Sequence, residues 1–164
     1  IVSKAAQFSR LRLNQRSNHL FLYQHILYQH SRVTKMISNF SELLKAANEQ
    51  DQPQRLLLLF AKAESTSKKK KQTQHGTLSP VMCVDKLPAD ITSFADLSKE
   101  ADNVSKDWDF IFAVGLAGQN GLPPTEEEAE PFLNKMTNDV VSGQNIAQYA
   151  IFDRTENPVM LQAS

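Results

Sequence analysis

Cys83 is the only thiol in the sequence and the first side chain to ask for chemistry. A cysteine attacks as its thiolate, so it needs a base or a positive neighbourhood. The one histidine beyond residue 36 is His75. A Cys83–His75 couple is one reading. A small apolar residue in a strand is the other, and it is the commoner use of a single cysteine. One thiol permits no intrachain disulfide and no cysteine-pair zinc site. One histidine in the body of the chain supplies no histidine cluster for a metal. No metal ligands and no cofactor motif are assigned. Carboxylates remain. Asp85 and Asp153 each follow an apolar run, and Asp107 and Asp109 flank Trp108. An acid at a strand end can act as a general base or hold a cation. It is equally the ordinary way for a strand to end in water.

Residues 115–121, GLAGQNG, lie between an apolar run and a helix start, where phosphate-cradling loops occur. The spacing is neither G-x-G-x-x-G nor a run ending in G-K-[ST]. Glu126, Glu127 and Glu128 follow, and they occupy the positive helix end that an anion would use. The stretch therefore reads as a flexible surface turn that can line a site for a neutral or cationic partner. Leu116, Gln119, Asn120 and Leu122 form its candidate binding surface. Trp108, read as partly exposed, is a second anchor. The four lysines at 68–71 read as a solvated loop, with a phosphate-binding patch as the alternative.

The apolar pattern supplies the scaffold. Residues 110–116 (FIFAVGL) are continuously apolar and predict a strand buried on both faces. Residues 55–61 (RLLLLFA) predict a second strand, and residues 78–85 (LSPVMCVD) a third, with Pro80 marking an edge. Residues 148–153 predict another, and 158–161 return as a short edge strand after a polar turn.

Three helices fall between them. The first spans 39–50, with Asn39 as N-cap, Glu42 three residues on, and Phe40, Leu43, Leu44 and Ala47 as its stripe. The second spans 93–101, capped by Ser93 or Thr92, with Phe94, Leu97 and Ala101 on one face. The third is capped by Thr125 and buries Ala129, Phe132, Leu133, Met136 and Val140. Pro131 is expected to kink or restart it, and Gly143 to end it. The order α-β-β-α-β-α-β-β predicts an α/β fold, with α+β as the alternative: one mixed sheet of about five strands with about three helices packed on it.

The chain's 164 residues suit one domain. Its net charge of zero conceals a division. Residues 1–35 carry six Lys or Arg, three of the four histidines and no acid. Residues 36–164 hold the other 12 basic groups and all 18 acidic ones, a net of −6. The shift places a boundary between a 1–35 extension and a 36–164 domain. The extension reads as disordered or as an artefact of translation upstream of Met36. A targeting peptide is an alternative, and so is a basic arm with Phe21, Tyr23 and Tyr28 that touches RNA or an anionic surface. Its repeated LYQH sets His25 and His30 five apart, which is not a same-face helical spacing. An acidic body repels phosphates, so nucleic acid is disfavoured as its partner and a protein is expected. No run of 18 apolar residues occurs, so no membrane-spanning helix is predicted. A single cysteine suits a reducing, cytoplasmic setting.

Four segments together resemble one family. They are PQRLLLLFAKAE at 53–64, GTLSPVMCVDKLP at 76–88, DWDFIFAVGLAGQNG at 107–121 and FDRTENPV at 152–159. The family consists of small bacterial proteins whose members often carry the designation "ribonucleotide reductase subunit alpha". The resemblance spans residues 36–161 and leaves out the first 35. It implies a bacterial, reductase-related protein and carries over no functional residue. A reductase catalytic subunit needs a redox-active cysteine pair and a further radical-bearing cysteine, and Cys83 stands alone. The expectation is therefore a non-catalytic accessory or binding module. The rival is a small enzyme that uses carboxylates near Asp85 or Asp153.

Overall fold

The computed structural model describes residues 37–65 and 76–161. The 1–35 extension, Met36, the lysines at 68–71 and His75 lie outside the described residues. Helix α1 spans Phe40–Asn48. The Asn39 side chain accepts the Glu42 amide at 2.9 Å, and Glu42 reaches back to the Ser38 amide at 2.8 Å. The return arm of the cap thus lands one residue before the N-cap. Such a cap stabilises a helix by about 1 kcal/mol. Phe40, Leu43 and Ala47 are buried, as the stripe predicts.

Four strands follow: β1 (Gln54–Ser65), β2 (Gly76–Lys86), β3 (Phe110–Ala117) and β4 (Ala150–Asp153). Their order across the sheet is β2-β1-β3-β4. Alternation along β1 explains the architecture. Leu56, Leu58 and Phe60 face one side, while Leu57, Leu59 and Ala61 face the other. All six are at most 1% exposed. A strand apolar on both faces needs cover on both, and each large side chain so buried contributes about 1.5–3 kcal/mol. Helices α1 and α2 (Phe94–Val104) cover the first face. Helix α3 (Glu126–Ser142) covers the second. The fold is an α/β sandwich of three layers. The run in β3 is buried on both faces, as its composition predicts: Ile111 and Ala113 turn to one core, Phe112, Val114 and Leu116 to the other.

Three expectations about the scaffold need correction. The sheet is antiparallel at every pairing, not mixed. Among the described residues it has four strands where about five were expected. Residues 158–161 make only a bridge between Phe152 and Pro158 and one bond from the Val159 amide to the Ile151 carbonyl, 2.8 Å. Pro158 has no N–H to extend a ladder. Of the two expectations for Pro131, a kink or a restart, the restart is corrected: α3 runs through it as one helix. The residue is exposed, so the carbonyl it leaves unbonded can turn to water.

Other expectations hold. Strand β2 lies at an edge, and Pro80 sits where its register shifts: Phe60 pairs with Met82 and Ala61 with Pro80, leaving Val81 as the bulged residue. Val81 and Met82, though consecutive, therefore pack on the same core. Ser93 caps α2, Thr125 and Glu128 complete a capping box on α3, and Gly143 ends α3 with φ 68°. No helix among the described residues is long and apolar enough to cross a membrane.

Candidate functional site

Strand β3 runs one residue past Leu116, the last core position of the apolar stretch, and the chain then reverses at 119–122. Gln119 and Leu122 exchange both backbone bonds, each at 3.0 Å. Asn120 and Gly121 between them have φ 54° and 76°. Two consecutive positive φ values are the backbone of a type I′ turn, for which Asn-Gly is the preferred dipeptide. The turn is braced from behind. The Gly118 amide donates to the Pro53 carbonyl at 2.8 Å, and the Gly121 amide donates to Gln52 Oε1 at 2.9 Å. Gly118 is obligatory for packing: a Cβ there would lie 1.9 Å from the Leu122 carbonyl oxygen. The stretch predicted to be a flexible turn is thus a tight hairpin backed by the α1–β1 connection.

The hairpin sorts the nominated surface. Gln119 and Asn120 are exposed, and Leu122 is 68% exposed. Leu116 does not belong with them. It is 5% exposed and packs in the α3-side core, because β3 extends its inward–outward alternation through Ala117. Trp108 is also corrected, from a partly exposed anchor to a buried one, 2% exposed. Its two flanking acids are drawn away from the ring. Asp107 pairs with Lys62 at 2.8 Å, and Asp109 accepts the Ala63 amide at 2.9 Å. The indole meets Phe60 edge-on at 5.1 Å and donates to Asp102 Oδ1 at 2.9 Å. Arg154 closes the cluster. Its guanidinium stacks 3.9 Å from the ring centre and binds both Asp102 oxygens, at 2.9 and 2.8 Å. The Arg154 guanidinium holds the Asp102 carboxyl below its ordinary pKa against the opposing effect of burial, and the indole N–H adds to the lowering. This cluster fastens α2 to the end of β4.

The enzyme candidates do not converge. Asp85 lies on β2 and Asp153 on β4, the two opposite edges of the sheet. Three inter-strand spacings, about 14 Å, separate those edges. Asp85 is held by Arg55 at 2.7 Å, with side chains only 9% and 13% exposed, and Arg55 also donates to the Pro124 carbonyl at 2.6 Å. Asp153 Oδ1 accepts from the Thr155 amide and hydroxyl, both at 2.8 Å, and from the Asn157 amide at 3.0 Å. Burial pulls its pKa up, but these donors outweigh it and hold it down. Asp153 therefore organises the polar turn and stays ionised. Cys83, half-buried on β2, has its thiol pushed up to about 11 by burial and by the Asp85 charge. That is the reverse of what a nucleophilic cysteine needs. Among the described residues, no group of three or more His, Cys, Asp or Glu could hold a metal ion.

One polar centre was not foreseen. Asp139, on α3, is 6% exposed. It accepts from Lys135 Nζ and the Tyr149 hydroxyl, both at 2.5 Å, and from the Asn145 amide nitrogen at 3.2 Å. In sequence, Lys135 and Asp139 look like a surface i, i+4 pair. Only the fold brings Tyr149 beneath them. The neighbouring depression is lined by Gly143, Gln144, Asn145, Ile146, Ala147 and Leu161, and Asp139 does not open into it. The centre joins the end of α3 to the 3-10 turn (Ile146–Gln148) that leads into β4.

No family model, curated protein or solved structure matches the chain.

Proposed function

We propose that this chain is a small, non-catalytic binding module that engages a partner protein through the hairpin tip at 119–122. The observation that carries this reading is the placement of Leu122. A large apolar side chain stands 68% exposed on a turn fixed by paired backbone bonds and braced by Gln52 and Pro53. Exposed apolar groups are common, but a rigid, protruding one arrives at an interface with little ordering left to lose. The rival enzymatic reading finds less support. Asp85 is committed to Arg55, Asp153 to its own turn, and Cys83 is held as a thiol.

The resemblance to the proteins designated ribonucleotide reductase subunit alpha supports a bacterial origin. It is compatible with an accessory part in such a system, since one thiol cannot perform the reduction itself. The single cysteine supports a cytoplasmic location.

The test is quantitative capture. The full chain and a Leu122→Ser variant, shown by circular dichroism to be equally folded, are used as baits in a bacterial extract. At least one protein should be retained by the parent chain and depleted about tenfold or more with the variant, the scale of a well-packed anchor residue. Identical captured sets would end the hairpin reading.

A further inference from the structure

We infer that two copies of this chain pair edge to edge through β2, antiparallel about a two-fold axis at Val84. The inference goes beyond the hairpin reading and does not rest on it. The two edges of the sheet differ. The outer edge of β4 is covered by its own chain: the Val159 amide donates to the Ile151 carbonyl at 2.8 Å, and the Asp153 amide donates to the Asn157 carbonyl at 2.9 Å. Among the described residues, no strand pairs with the outer edge of β2, which is 11 residues long. The register says which groups that edge presents. The carbonyls of Pro53 and Ala61 accept from the Gly118 and Asp109 amides, so the odd-numbered residues of β1 bond toward β3. Alternate residues of an antiparallel strand bond to alternate sides. Leu56, Leu58 and Phe60 therefore bond toward β2, to Lys86, Val84 and Met82. Cys83 and Asp85, in between, turn their backbone amides and carbonyls outward.

These outward groups are self-complementary. With Val84 on the axis, Cys83 of each copy faces Asp85 of the other, and the two pairs satisfy every outward group of both residues. Val84 then meets Val84, Met82 meets Lys86 and Val81 meets Leu87, so no like charges stand opposite one another. The two charges on this stretch are held within their own chain. Asp85 is bound by Arg55 at 2.7 Å and Lys86 by Glu100 at 2.9 Å, so neither guards the edge as a free charge would. Pro80, which has no N–H, and the bulge at Val81 keep the pairing from spreading toward Gly76. The chain's net charge of zero sets up no long-range repulsion between copies. A pairing that uses the one open edge of each described domain closes as a dimer and does not grow into a fibre.

The test is sedimentation of the full chain from about 1 to 500 μM, since so short a pairing makes a weak dimer. The mass should rise with concentration from 18.5 kDa toward twice that value. Cys83→Pro removes an outward amide and leaves the bonds to β1 in place. That variant, its folding checked by circular dichroism, should stay a monomer where the parent is half dimer. Cross-linking reads the register without relying on the proline variant. Residues opposed at a non-bonded position lie about 4.5 Å apart at Cα, within the reach of a disulfide. In a Cys83→Ser background, Val84→Cys should therefore oxidise to a linked dimer, and Thr77→Cys should not. A parent chain that stays at 18.5 kDa up to about 500 μM would overturn the inference. So would a folded Cys83→Pro chain that dimerises like the parent, or a folded Val84→Cys chain that links no faster than Thr77→Cys.

Discussion

Replacing Gly118 with alanine should cost the fold about 2–4 kcal/mol, more than the same change at Gly121. The new Cβ would stand 1.9 Å from the Leu122 carbonyl oxygen, 2.8 Å from its carbon and 2.9 Å from Pro123 Cα. All three are backbone atoms of the braced turn, so no side-chain rotation relieves the clash. Overpacking of this kind costs about 1–3 kcal/mol. Moving the turn also loosens the paired Gln119–Leu122 bonds, each with a net worth of about 1 kcal/mol. Gly121 presents the opposite case. A Cβ there meets nothing within 4 Å, and the penalty is only that of a side chain at φ 76°, about 1–2 kcal/mol. Steric exclusion should therefore outweigh backbone preference. Urea unfolding of the two variants decides the matter. With a slope of about 2 kcal/mol per molar, Gly118→Ala should lower the midpoint by about 1–2 M and Gly121→Ala by under about 1 M. A Gly118→Ala midpoint equal to or above that of Gly121→Ala would refute the reasoning. The turn would then yield cheaply, and Leu122 would not be rigidly presented.

Tyr149→Phe should destabilise the chain by about 1.5–3 kcal/mol, because it removes a buried hydroxyl bond to a carboxylate. Asp139→Ala should cost more, since it also strands the hydroxyl; equal thermal stability of parent and Tyr149→Phe would deny the Asp139 centre its role. Arg154→Met tests the acid side of the Asp102 cluster. The folded pKa of Asp102 lies below its unfolded value, so its contribution is present above about pH 4 and is lost as pH falls through the folded value. Melting temperatures followed from pH 6 downward should fall less steeply in the variant, and superimposable slopes would count against the ion pair. Cys83, raised to about 11, should hold about a hundredfold less thiolate at neutral pH than an ordinary cysteine. Its labelling by a disulfide reagent should be slow in the folded chain, fast in urea, and rise about tenfold per pH unit; prompt labelling of the folded chain at pH 7 would contradict this.

Burial was the most legible property of the sequence. FIFAVGL read as a strand covered on both faces and RLLLLFA as a second strand, and Asn39, Ser93 or Thr92, Thr125 and Gly143 marked helix ends through chemistry that acts within a few residues. Strand direction was not legible in the same way. A helix between two strands leaves their relative sense open, and the antiparallel pairing of β3 with β1 and β4 is settled by contacts far apart in sequence. Trp108 misled because two neighbouring acids suggested water. Nothing local announces that Lys62 and the Ala63 amide take those acids away while the ring turns onto Phe60.

The candidate site shows the same division. Leu116 and Leu122 are the same residue type six positions apart, and by composition both belong in a core. Leu116 goes in because β3 is still in register. Leu122 comes out because Asn120 and Gly121 reverse the chain with positive φ, and because Gly118 lets the returning backbone pass at a distance no other residue permits. The Asn-Gly signal was present, but no second strand followed to mark it as a hairpin; the return is a single bridge before α3 begins. The nominated acids and thiol were chosen as reactive groups, one residue at a time, and the fold occupies each of them. What it leaves unoccupied is a shape made by backbone. Any partner contact at this tip is therefore governed less by the side chains that look reactive than by the two glycines that aim Leu122 outward.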